Sequence, residues 1–367
     1  MERPVHRILL QKKTAAYSIT RQKLASKNWS TTLQKVEHTG RDGVHDIGPF
    51  TFEGGGHVES LSVGYTTYGE LNAARDNMLL VLPGTANTRH SADGYIGSGK
   101  AFDPGQHFVV TVDAIGAGTS SKPSDGLRGN FPQYNIRDMV HAVCRLVTTA
   151  FGVKRMAYVA GASMGAFQAL EWAIHYPDMM RGVILMVPAA QTGNVFRGAV
   201  GAAKEVIKLD PGWNAGNYTL QPLAGLRAAG RLYFPWTVTD DYLESLSEPE
   251  LEKELQKTVT RAAQWDAWDF IRRYEASASH DISVPFEGQA GLALARVTTR
   301  VLILPTNTDR LLPLASARQI AEGVAQSHYV EVPSKHGHLG WRPIDGAPET
   351  IFITTAIQKF IKEGETS

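Results

Sequence analysis

Cys144 is the only cysteine in the chain, so an internal disulfide and a cysteine-cluster metal site are both excluded. A reducing compartment suits such a chain, and a cytoplasmic location is expected. There is no run of about 18 apolar residues, so no helical membrane span is expected. Neither sign of charge is in excess: 37 Lys and Arg face 36 Asp and Glu. That balance gives no electrostatic reason to expect nucleic acid or an anionic membrane as partner. No internal repeat is present. What remains is an ordinary globular composition, 43% apolar and 20% charged over 367 residues. It is enough for one large α/β domain with an insertion, or for two modest domains.

Charge is uneven only at the start. Residues 1–36 hold eight basic side chains, from Arg3 to Lys35, against the single acid Glu2. With its frequent Ser and Thr this stretch resembles an organelle transit segment, which makes a mitochondrial location the alternative expectation. The plainer expectation is a solvated extension.

Short apolar runs then recur between helical patterns. Leu61–Tyr68, Asn77–Leu82, His107–Val112, Met156–Ala160, Val183–Val187, Val301–Leu304 and Tyr329–Val332 suit strands, most of them buried on both faces. Helices are expected at Ile136–Phe151, Gly165–His175, Leu314–Ala325 and Ala347–Ile361. This alternation predicts an α/β fold with a mostly parallel central sheet and helices on both faces. Residues 190–285 break the rhythm, lack a convincing strand and carry four tryptophans, so they read as an inserted helical cap. The expected organisation is a basic extension at 1–44, core at 45–189, cap at 190–285 and core again at 286–367.

Gly161-Ala162-Ser163-Met164-Gly165 follows one strand and opens a helix. It matches the G-x-S-x-G nucleophile elbow, where small residues let strand and helix converge on a serine. A serine hydroxyl needs a base, and the base needs an orienting carboxylate. In chain order the acid should precede the histidine. Asp309 and His338 follow the last two predicted strands, where an open sheet builds its site. Their rivals are Asp281 and His336. Backbone N–H groups of Met164 and Thr85 are the expected oxyanion donors. Gly94–Lys100 has phosphate-loop spacing but is followed by Ala101 instead of a hydroxyl residue. His336 and His338 lack a third ligand of sensible spacing, so no metal is expected.

From about residue 45 to 363 the chain resembles the homoserine O-acetyltransferase branch of the α/β-hydrolases. The resemblance rests on Tyr65–Asn72, Phe131-Pro132 through Val140, Gln168–Ala173 after the elbow, and Asp210–Trp213 with Gly216 and Tyr218. It implies the α/β-hydrolase fold, the Ser163–Asp309–His338 triad and a helical cap, with a homodimer formed through the cap as a further expectation. The departures concern the substrate. The family places an aspartate after the catalytic histidine to meet an acceptor's amino group, and here Leu339 stands there. The cap arginine that would meet the acceptor's carboxylate falls on Gly230, with Arg231 beside it. Leu339 and Arg231 are therefore the candidate pocket residues.

Leucine cannot pair with an ammonium, so a free amino acid is a poor acceptor. The expected activity is hydrolysis of an ester, thioester or lactone of a small, fairly apolar molecule through an acyl-enzyme. One alternative is an O-acetyltransferase using acetyl-CoA, or another acyl-CoA, with an alcohol other than homoserine. Another is a non-catalytic binding protein on the same fold. No cofactor beyond that co-substrate is expected, and the expected partner is a small acyl substrate.

Overall fold

Met78–Leu82 (MLLVL) has no polar side chain to turn toward water, so both faces of that strand must be covered. The computed structural model, which describes residues 40–365, covers both. Met78, Leu80 and Leu82 pack into one apolar layer, and Leu79 and Val81 into another.

The strands are β1 (Arg41–Asp46), β2 (Phe50–Thr51), β3 (His57–Val58), β4 (Ser62–Tyr68), β5 (Met78–Leu82), β6 (Phe108–Val112), β7 (Met156–Ala162), β8 (Met180–Met186), β9 (Arg300–Leu304) and β10 (Ser327–Tyr329). β2 and β3 form a small hairpin. The other eight make one sheet in the order β1-β4-β6-β5-β7-β8-β9-β10. From β6 to β10 every pairing is parallel, while β1 and β4 join antiparallel at one edge.

The helices are α1 (Ile136–Thr149), α2 (Met164–His175), α3 (Asn194–Lys208), α4 (Leu223–Tyr233), α5 (Asp240–Glu244), α6 (Glu248–Ala262), α7 (Ala267–Ala278), α8 (Ala290–Ala295), α9 (Leu314–Gly323) and α10 (Pro348–Glu365). α1, α2, α8 and α9 contribute to the first apolar layer, and α10 to the second. α1 starts where Asn135 and Asp138 exchange hydrogen bonds, a capping box that satisfies two orphan donors. α3 to α7 all fall between β8 and β9. The ends of that excursion meet: Gln191 bridges Asp281 through the backbone, and its side-chain amide donates to the Asp281 carboxylate at 2.5 Å.

Two expectations need correction. β1 begins at Arg41, inside the segment assigned to the extension. RDGVHD is too polar to signal a strand, because at the sheet's edge it buries little. The final strand lies at Ser327–Tyr329 instead of Tyr329–Val332. Pro305 follows β9 and has no N–H to give, so regular pairing stops there. Contact resumes as a lone bridge from Thr306 to Val332. The basic stretch at residues 1–36 lies outside the described residues. No described helix is long and apolar enough to cross a membrane.

Candidate active site

β7 runs directly into Ser163, which sits at φ 57° and ψ −121° before α2 begins. That conformation is disfavoured for any residue with a side chain, so the surroundings must impose it. They do so by close approach. A Cβ on Gly161 would collide with the backbone of Gly165, and one on Gly165 with the Leu82 carbonyl. Strand and helix are thus nearer than any other residue would allow, and the hydroxyl is held on the tip of the turn.

The serine hydroxyl lies 3.0 Å from His338 Nε2. His338 Nδ1 lies 2.7 Å from Asp309 Oδ2. The other oxygen of Asp309 accepts the Leu311 and Leu312 N–H groups, each at 2.9 Å, which fixes the carboxylate plane. Thr306 donates to the Gly337 carbonyl at 2.8 Å and so ties the acid's loop to the histidine's loop. Gly337, at φ +56°, makes the turn that swings the imidazole inward. All three side chains are buried, with the serine 6% exposed, which leaves the hydroxyl within reach of a ligand. With Nδ1 donating to the carboxylate, Nε2 is free to accept the serine proton.

Near the serine, two backbone N–H groups are left without an acceptor among the described residues. Met164 opens α2, so its N–H has no acceptor within the helix. The Thr85 N–H likewise has no acceptor among the described residues. Gly84, its neighbour, faces the Ser163 Cβ. The loop carrying Thr85 is fixed from two sides. Gln168 of α2 donates to the Pro83 carbonyl at 3.3 Å. From α7, Arg273 Nη2 donates to the carbonyls of Gly84 (3.1 Å), Thr85 and Asn87 (2.8 Å). The Ser277 hydroxyl meets that of Thr85 at 2.8 Å.

Arg273 is 1% exposed and lies under the Trp265 ring, 4.4 Å from its centroid. Burial pushes its pKa down, and its Nε and Nη1 have no hydrogen-bond partner among the described residues. Arg273 is not among the residues expected from the sequence. Its signal was there: Phe270, Tyr274 and Ser277 put position 273 on the buried side of α7.

The rivals and the pocket candidates fall elsewhere. His336 Nδ1 meets Glu349 of α10 at 2.9 Å, and burial lowers its pKa in spite of that carboxylate. Asp281 accepts the Ser283 N–H and hydroxyl at the base of the insertion. Leu339 is half-buried beside His338. Arg231 is misplaced as a pocket residue. It is exposed and pairs with Glu252 of α6, Nη1 to Oε1 at 2.9 Å. Gly230 has no space for a longer side chain, since a Cβ there would lie 2.8 Å from the Thr258 carbonyl oxygen.

Known proteins show the same arrangement of chain. The family described as alpha/beta hydrolase fold matches residues 77–341. The homoserine O-acetyltransferase of Thermobifida fusca is 30% identical over 336 residues, which cover 80% of this chain and 87% of the relative. The homoserine O-acetyltransferase from Bacillus anthracis superposes with a TM-score of 0.76 at 27% identity, covering 89% of this chain and 96% of that one. The acetyl esterase MekB superposes with a TM-score of 0.81 at 25% identity, covering 90% and 98%. The chain therefore belongs to the α/β-hydrolase fold family, in its homoserine O-acetyltransferase-like branch, and is an enzyme of the acyltransferase and esterase class.

Proposed function

We propose that the protein is a serine hydrolase that cleaves an ester, thioester or lactone of a small molecule through an acyl-enzyme on Ser163. The observation that carries this reading is the unbroken relay from Ser163 to His338 (3.0 Å) to Asp309 (2.7 Å). His338 Nε2 takes the serine proton as Oγ attacks the carbonyl carbon. Asp309 stabilises the imidazolium that forms. The N–H groups of Met164 and Thr85 receive the oxyanion, and His338 returns its proton to the leaving oxygen or sulfur. A water molecule, deprotonated by the same imidazole, then attacks the acyl carbon and frees Ser163.

Water is favoured over an amino-acid acceptor by what stands where the family holds such an acceptor. Leu339 follows the histidine in place of a carboxylate, and Gly230 replaces the cap arginine. An ammonium brought against Leu339 would be desolvated without a partner. A second reading has support of its own, because a relative from Methanothermobacter thermautotrophicus is named a probable acyltransferase. On that reading the acyl-enzyme, loaded from acetyl-CoA or another acyl-CoA, passes to an alcohol other than homoserine.

A fluorophosphonate probe should label the native protein and spare Ser163→Ala. Absence of labelling in the native protein refutes catalysis by this serine and leaves a binding role. Burst release from p-nitrophenyl acetate, followed with and without added alcohols, separates the two enzymatic readings. Acceleration by an alcohol together with formation of its ester decides for transfer, as robust acetylation of homoserine would.

A further inference from the structure

His338 is carried on the stretch between β10 and α10, which is held at its exit, its middle and its entry. At the exit, the Tyr95 hydroxyl donates to the Trp341 carbonyl at 2.7 Å. In the middle, Thr306 of the acid's loop donates to the Gly337 carbonyl. At the entry stands Ser334, which is 8% exposed. Its N–H donates to Asn307 Oδ1 at 3.0 Å, and its carbonyl accepts from the Thr308 hydroxyl at 2.8 Å. The entry is thereby tied to the loop of Asp309.

The Ser334 hydroxyl passes this anchorage on to the turn. It accepts the His336 N–H at 3.0 Å and donates to Glu349 Oε1 at 3.0 Å. Glu349 lies in the first turn of α10 and is 6% exposed. The same carboxylate oxygen lies 2.9 Å from His336 Nδ1, and since a carboxylate only accepts, Nδ1 donates. The residue two before the base is thus fixed by its backbone and by its ring. A hydroxyl has one proton to give, and the carboxylate claims it. That leaves an oxygen lone pair turned to the His336 N–H. A Cβ on Gly340 would collide with Ser334 Oγ, so the turn closes directly over this junction. On the outer side Tyr242 of α5 sets its ring edge-on to His336, 5.3 Å between centroids, and Thr239 donates to the Lys335 carbonyl at 2.8 Å.

We infer that Glu349 is a positioning residue of the reaction: through the Ser334 hydroxyl and the His336 ring it sets the turn that presents His338 to Ser163. This rests on the reading of Ser163 as the nucleophile. Glu349 touches no reacting atom. With His336 it forms a second acid–histidine pair, two residues before the catalytic one, whose task is to hold the first in place. Without the carboxylate, the Ser334 proton turns to another acceptor and the His336 N–H loses its aligned partner. Gly337, at φ +56° and with no Cβ to restrict it, then lets the imidazole drift. The base must stay within hydrogen-bond reach of the serine, and a displacement of about 1 Å costs up to about 10²-fold in rate.

Three substitutions test this. Glu349→Leu keeps the buried volume and removes the acceptor. Ser334→Ala removes the relay and carries the test by itself where Glu349→Leu does not fold. Glu349→Gln restores an acceptor oxygen. With p-nitrophenyl acetate, normalised to titrated serine, the first two should lose about 10- to 100-fold in kcat, with KM within about threefold of native. Glu349→Gln should keep kcat within about threefold of native. Because both residues act along one path, the double variant should be no slower than the slower single one. The inference is overturned by kcat within about threefold of native in Ser334→Ala and Glu349→Leu, by losses that multiply in the double variant, or by Glu349→Gln as slow as Glu349→Leu.

Nitrogen NMR of the histidine rings reads the placement of His338 without turnover. In Ser163→Ala, His338 should hold a single tautomer, with its proton on Nδ1 facing Asp309. Adding Ser334→Ala or Glu349→Leu should draw the shifts of its two ring nitrogens toward each other, and adding Glu349→Gln should not. The signals are identified by their loss in His338→Ala. Unchanged His338 signals in both Ser334→Ala and Glu349→Leu are the contrary result. Failure of native Ser163 to label with fluorophosphonate refutes the nucleophile, while these spectra still decide whether Glu349 places the ring.

Discussion

Replacing Arg273 with methionine should slow catalysis far more than it weakens substrate binding. The arginine touches no reacting atom. It holds the loop of Thr85, the proposed second oxyanion donor, by that peptide's own Gly84 carbonyl and by the Thr85 carbonyl after it. Without it, the Gly84, Thr85 and Asn87 carbonyls lose a shared charged donor, and the peptide between Gly84 and Thr85 is free to rotate. The Met164 donor is unaffected, because α2 is held by its own contact with Leu82. The loss is therefore that of one oxyanion donor, about 10²–10³ in kcat, or about 3–4 kcal/mol of transition-state stabilisation. KM should change by only a few-fold, since the ground-state carbonyl binds that hole weakly. Fold stability should fall less than the usual about 3–5 kcal/mol for breaking a buried charged contact. Methionine also removes a cation whose Nε and Nη1 have no hydrogen-bond partner among the described residues. Arg273→Lys should recover only part of the rate, because a point charge cannot span three carbonyls. The assay is p-nitrophenyl acetate hydrolysis, normalised to the serine titrated by fluorophosphonate. A fully titratable Arg273→Met enzyme with kcat within about threefold of native would refute this reasoning.

His338→Ala should lower kcat by about 10³-fold or more in the same assay, while His336→Ala should leave it within about tenfold, since that ring meets Glu349 and not Ser163. Equal losses in the two would reverse the assignment of the base. Gly165→Ala should abolish soluble folded protein or cost about 3 kcal/mol or more, because the added methyl meets the fixed Leu82 carbonyl; a urea melt indistinguishable from native would contradict that. Asp269 should make stability depend on pH. Burial raises its pKa to about 6 despite two hydrogen bonds from Ser124. A carboxyl raised in the folded state stabilises most below its unfolded value near 4, and that contribution disappears as pH climbs through 6. Its size is about 3 kcal/mol. Relative to Asp269→Asn, native stability in urea should therefore decline between pH 4 and pH 7, and parallel profiles for the two proteins would refute it.

The parts of the site that share a local signature could be read without coordinates. Ser163 announces itself by glycines on either side and by the change from strand to helix. Asp309 and His338 each follow a short apolar run, and a parallel sheet gathers such positions at one edge. β1 escaped because an edge strand with charged side chains has no apolar period to detect. The last strand was displaced because one proline moved the point where pairing stops. Arg231 was chosen as the neighbour of an aligned position, but one step along a helix turns the side chain by about 100°, and here it turned outward. Arg273 acts through contacts with a loop 186 to 189 residues away in the sequence. The helical pattern puts it on the buried side of α7, but no local signal says which loop it meets.

The Arg273 bolt has an evolutionary corollary. In this scaffold the insertion is an obvious place to change substrate preference, because it begins and ends at one point of the sheet. Yet the excursion also sets the catalytic backbone beneath it. A graft of a foreign lid that does not bring a guanidinium to the same depth would exchange one specificity for another and forfeit turnover with it. New preferences are more accessible through point changes that spare α7 than through wholesale exchange.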